Sequence, residues 1–102
     1  MSNSENLGLF VLVTAKTEKA NDVKQFLTSA LPLAQQEAGT VSWYAFQIDE
    51  TRFGIFDTFA NEDGRNAHLN GDIAKALLAN AADLLEGFEV SHINQIDILA
   101  AK

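Results

Sequence analysis

At 102 residues, 47% hydrophobic and 21% charged, the chain has the make-up of one folded domain and is too apolar to be disordered. Lys and Arg total 7 against 14 Asp and Glu, a net charge of −7, which excludes a nucleic-acid binder built on clustered basic residues and disfavours an anionic membrane surface. There is no cysteine, so disulfides, thiolate metal sites and cysteine nucleophiles are excluded.

Residues 1–6 are polar and acidic, with no basic region followed by an apolar run. They predict a disordered tail rather than a signal peptide, ahead of a single domain over 7–102. No apolar stretch approaches the ~18 residues of a membrane span, and a cytoplasmic location is expected. Leu7 to Lys16 (LGLFVLVTAK) reads as a central strand buried on both faces. From Ala20 the period becomes helical: Val23, Phe26, Leu27, Ala30, Leu31 and Ala34 form one stripe. Gly39 is expected to end this helix in a left-handed conformation, and Pro32 to bend it.

Thr40 to Asp49 and Arg52 to Ala60 are two aromatic-rich strands joined by a short polar turn. Asn61 is a good N-cap, and Glu62 and Asp63 suit the first helical turn after it. That helical piece runs to Asn70–Gly71. A second begins at Asp72, lined by Ile73, Ala76, Leu77, Ala81, Leu84 and Leu85, and Gly87 stops it. Glu89 to Ala101 closes the chain as a strand. The order β-α-β-β-α-β predicts an α+β, ferredoxin-like fold with an antiparallel sheet.

Two helices cover only one face of such a sheet, and a solvated opposite face shows polar residues at every second position. Here both faces are apolar. Phe53, Ile55 and Phe59 alternate with Gly54, Phe56 and Thr58, and Val41, Trp43 and Ala45 with Tyr44, Phe46 and Ile48. A second copy of the chain is the economical cover, so a homodimer is expected.

Asp57 falls between Ile55 and Phe59 on one strand face, and a lone buried carboxylate is costly unless paired or hydrogen-bonded. Arg52, Arg65, His68 or the backbone donors of the next helix are its candidate partners. It fits both a structural anchor for that helix and a catalytic group. His68 is a candidate general acid or base, and fits as well an edge histidine bonded to a carbonyl. His92, beside Ser91 and Asn94, reads as a surface residue. The two histidines lack metal-binding spacing, and no nucleotide-binding or serine-hydrolase motif is present. Trp43 and the phenylalanines serve a core equally well, and are pocket candidates through their expected place on the face that helices leave bare.

The strand FVLVTAK, the segments AGTVSWYAF and RFGIFDTF, and the helix GRNAHLNGDIAKAL together resemble the antibiotic-biosynthesis monooxygenase family of dimeric α/β-barrel proteins. The features that carry this are Trp43 on the second strand, Phe53, Asp57 and Phe59 on the third, and the Ala-His-Leu containing His68. The resemblance implies a ferredoxin-like dimer with facing sheets and a cofactor-independent oxygenase acting on a small aromatic or quinol-like compound, with no metal. His68 or Asp57 would take a proton, and Trp43, Phe53, Ile55, Phe59 and Arg65 would bind the ligand. A non-catalytic dimer that binds a small ligand or a partner is the alternative. Haem-degrading relatives carry Trp where this chain has His68 and an iron-ligating His where it has Leu78. Other relatives have a second His where Ile73 stands.

Overall fold

A computed structural model describes residues 6–102; of the predicted tail, residues 1–5 lie outside them. The strands are β1 (Leu7–Thr14), β2 (Thr40–Gln47), β3 (Arg52–Phe59) and β4 (Ile93–Asp97), and the helices α1 (Ala20–Ser29), α2 (Leu31–Gln36), α3 (Glu62–Leu69) and α4 (Asp72–Leu84). The sheet is antiparallel in the order β2-β3-β1-β4. This is the predicted ferredoxin-like βαββαβ arrangement. Among the described residues no helix is long and apolar enough to cross a membrane.

Several boundaries differ from expectation for identifiable reasons. The first helix is two, because Pro32 cannot donate back to the preceding turn; the chain breaks at Ala30 and Pro32 takes the first turn of α2, where its missing N–H costs little. Gly39 is not left-handed, since the one glycine with positive φ is Gly87 (φ 56). It is needed for closeness: a Cβ on Gly39 would sit 2.6 Å from the Gly64 Cα. The last strand is short, and a 3-10 turn over Val90–His92 precedes it. The β2–β3 turn is as predicted. Asp49 Oδ1 accepts from the Thr51 and Arg52 amides at 3.1 and 2.9 Å, and its other oxygen pairs with Arg52 Nε at 2.8 Å.

Pairing register shows which sheet face the helices take. Leu9 and Trp43 lie directly across from Asp57, Val11 and Ala45 from Ile55, and Val13 and Gln47 from Phe53. This row meets Val23 and Leu27 of α1 and Leu77 of α4 in the main core, while Ala30, Ala34 and Ile73 form a second cluster. Trp43 packs against both. Trp43, Phe53, Ile55 and Phe59 therefore face the helices, which corrects their expected place on the uncovered side. Phe53 and Phe59 are fully buried, each worth about 1.5–3 kcal/mol relative to exposure.

The opposite face carries Phe10, Leu12, Tyr44, Phe46, Phe56 and Ile96. Phe10 and Phe46 stack with ring centres 6.5 Å apart. Among the described residues nothing covers this face: Tyr44 is 59% exposed and Leu12 44%.

Candidate functional site

The strand alternation that buries Ile55 and Phe59 buries Asp57 between them, with Leu9 and Trp43 on either side across the sheet. A carboxylate in such surroundings needs a counter-charge. It comes from α3. Asn61 caps this helix, its Oδ1 accepting from the Gly64 amide at 2.9 Å. Gly64 lies directly against Gly39 at the start of β2, and a Cβ on Gly64 would be 2.7 Å from the Gly39 carbonyl oxygen. This close seat turns Gly64, Arg65 and His68 inward together, as residues one turn apart on a helix must.

His68 then lies between two carboxylates. Nε2 is 2.9 Å from Asp57 Oδ2, an ion pair close in distance but off the line of an aligned hydrogen bond, so neither Asp57 oxygen accepts one among the described residues. Nδ1 is 2.6 Å from Oε1 of Glu37, in the connection from α2 to β2. Thr40 Oγ1 donates to that same Glu37 oxygen at 2.7 Å. The Phe59 ring covers the imidazole with centres 5.3 Å apart.

Burial would push the His68 pKa down, but Asp57 and then Glu37 outweigh it and raise it above the ordinary 6.5. For Asp57 burial dominates, and its pKa lies above 3.8 despite His68 acting the other way. The two acidic side chains that clamp the imidazole thus favour its cation over the neutral ring.

One side of this cluster opens on a cleft of about 400 Å³ between the segment from Leu33 to Thr40, the Gly64–His68 face of α3, and Gly71 and Asp72. His68 and Glu37 line it; Asp57 lies behind them. Trp43, Phe53, Ile55, Phe59 and Arg65 are not among its walls. Arg65 is instead a buried tie between helix and sheet. Its Nη1 donates to the Ile96 carbonyl at 3.2 Å and approaches that of Gly8 at 3.4 Å, and its Nη2 pairs with Glu62 at 2.8 Å. Arg52 is committed to the β2–β3 turn, so of the predicted partners of Asp57 the structure selects His68. His92 is on the surface, its Nδ1 accepting from the Glu89 amide at 3.3 Å. Among the described residues no group of three or more acidic or histidine side chains is arranged to hold a metal ion.

Glu37 is the residue that sequence reasoning missed. It stands 31 positions from His68, just past a helix end, and no motif joins the two. The adjacent Gly39 was the available sign of a tight approach.

No family model matches the chain, and no curated protein does. Solved structures do. The NE2512 protein of unknown function from Nitrosomonas europaea is 47% identical, covering 99% of this chain and 96% of its own, with a TM-score of 0.92. PA3566 from Pseudomonas aeruginosa is 20% identical over 98% of this chain and all of its own, with a TM-score of 0.80. A protein described as a candidate antibiotic biosynthesis monooxygenase, also from Nitrosomonas europaea, is 16% identical over 96% and 92%, with a TM-score of 0.76. The chain shares the ferredoxin-like fold of the candidate antibiotic biosynthesis monooxygenase, and it belongs to one family with the NE2512 protein.

Proposed function

We propose that this protein is a cofactor-independent monooxygenase that oxidises a small phenol or quinol-like compound in the cleft beside His68. The observation that carries the reading is a buried histidine set between two carboxylates and open on one side to a cleft of about 400 Å³. Buried, mutually perturbed titratable groups beside a cleft are the usual equipment for proton abstraction. The structural likeness to a candidate monooxygenase points the same way by fold analogy.

The reaction balances without a reductant. A phenol loses its O–H proton to the His68 cluster, and the phenolate gives electrons to O₂ as a ring carbon forms a bond to oxygen. The proton returns to make the hydroperoxide, and loss of water leaves a quinone. One oxygen atom stays in the product and the other leaves as water, with all four electrons supplied by the substrate. Two copies pairing through the Phe10–Tyr44–Phe46 face of the sheet complete the proposed functional unit.

The test is O₂ consumption with a panel of dihydroxyaromatics. His68→Ala is expected to lower the rate roughly a hundredfold or more, the scale of losing proton abstraction by the cluster it holds together. A wild-type protein that consumes no O₂ with any of these compounds overturns the reading. The second reading, a non-catalytic ligand-binding or interaction dimer, is favoured by one observation: both ring nitrogens of His68 are engaged inside the protein. Unfolding of His68→Ala together with an inactive wild type would establish that reading.

A further inference from the structure

His68 has no ring nitrogen to spare. Nδ1 faces Glu37 and Nε2 faces Asp57, and an imidazole accepts a proton only through an unshared pair on nitrogen. A molecule in the cleft therefore cannot hand its proton directly to His68 while both contacts hold. Side-chain exposure falls from 21% at Glu37 to 8% at His68 and 1% at Asp57, so the three groups form a line from cleft to interior with Glu37 outermost. His68 and Thr40 both engage Oε1 of Glu37. Oε2 lies beside Gly71, where a methyl group would come within 3.3 Å of it, so the glycine leaves this oxygen room on the cleft wall.

Asp57 on β3 faces His68, the uncharged Phe59 ring packs on the imidazole, and Asp72 at the start of α4 shares the cleft wall with the pair. No lysine or arginine lines the cleft. An anionic ligand would meet carboxylates without a free cation to receive it. A neutral, weakly acidic molecule meets no such barrier.

We propose that Glu37 is the catalytic residue that removes the proton from a neutral phenol or enol in this cleft, with His68 and Asp57 behind it as positioning residues. The inference rests on the oxygenase reading for its substrate, but the proton route stands on the geometry. With His68 protonated, the three groups carry a net charge of −1. The ligand O–H bond breaks, its proton bonds to Glu37, the cluster becomes neutral, and the ligand is left as its anion beside the imidazolium. The same path, run between Nδ1 and water, makes Glu37 the exit for the His68 proton.

The test is exchange of the His68 Nδ1–H with water, followed by ¹⁵N NMR on the full chain, with O₂ consumption read separately on the same samples. Glu37→Gln keeps an oxygen for Nδ1–H to donate to and removes the base. It is expected to slow exchange roughly a hundredfold, and to lower kcat by a similar factor. Glu37→Asp, which restores a carboxylate, is expected to recover part of both. Wild-type exchange in Glu37→Gln overturns the proposal. If Glu37→Gln fails to fold, Ala67→Phe narrows the cleft from an exposed helical position and leaves all three groups unsubstituted. Slowed exchange there supports the route, and unchanged exchange overturns it. Slowed exchange in Glu37→Gln alongside a wild type that consumes no O₂ keeps the proton route and removes the oxygenase reading.

Discussion

At the scale of single residues, the chemistry of the site is set by how one imidazole shares its charge. His68 is buried, which disfavours its cation, yet the neighbouring Asp57 and Glu37 carboxylates favour it more. An NMR titration is expected to place its midpoint above 6.5, and Asp57→Asn to bring it down. A wild-type midpoint below 6.5 would show that burial prevails. The sign carries over to stability. A pKa raised by folding gives stabilisation that is complete below the unfolded value and is lost as pH rises through the folded one. The denaturation midpoint is therefore expected to fall from neutral pH upward, and His68→Gln to flatten that fall. Asp57, raised from 3.8, acts with the same sign lower on the scale. Haem is expected to give no stoichiometric Soret shift on titration, because Leu78 offers iron no ligand and both His68 nitrogens are engaged.

At the scale of elements, two glycines decide whether the site forms. Gly39 and Gly64 touch backbone to backbone, and this contact brings α3 close enough to the α2–β2 connection for His68 to reach Glu37. Gly64→Ala would place a methyl group 2.7 Å from the Gly39 carbonyl oxygen. It is expected to destabilise the chain by about 1–3 kcal/mol. It is also expected to lower the His68 titration midpoint, as the helix moves away from Glu37. Denaturant unfolding and NMR titration of the same variant check the two effects. Normal stability with an unchanged midpoint would mean that the helix shifts without cost.

For the molecule as a whole, the unanswered need is the second sheet face. Helices cover the side holding Trp43 and Asp57, while Phe10, Leu12, Tyr44 and Phe46 stand on the other with nothing among the described residues above them. An apolar face of this kind is a demand for a partner, and pairing with a second copy is the proposed answer. Light scattering at micromolar concentration is expected to give the dimer mass, with Tyr44→Glu combined with Phe46→Glu shifting it to the monomer. Trp43→Glu is expected to do something different and unfold the chain, because that side chain packs into both core clusters. A folded monomer from Trp43→Glu would show that the two faces are assigned the wrong way round.

The order of strands and helices, the Asn61 cap, the β2–β3 turn and the burial of Asp57 were all legible in the sequence. Each is dictated by residues within a few positions of one another: hydrophobic period, capping chemistry, turn residues. Three matters needed the tertiary structure. Which of two apolar sheet faces the helices take cannot be read from an alternation that is apolar in both phases, so Trp43, Phe53, Ile55 and Phe59 were placed on the wrong side. The role of Gly39 was misjudged because its crowding comes from Gly64 on a later helix and not from its own backbone turn. The pairing of His68 with Glu37, and so the identity of the group that meets the cleft, joins residues 31 apart. Nothing local marks such a contact; it exists because α3 docks across the start of β2, and only the packed chain decides that.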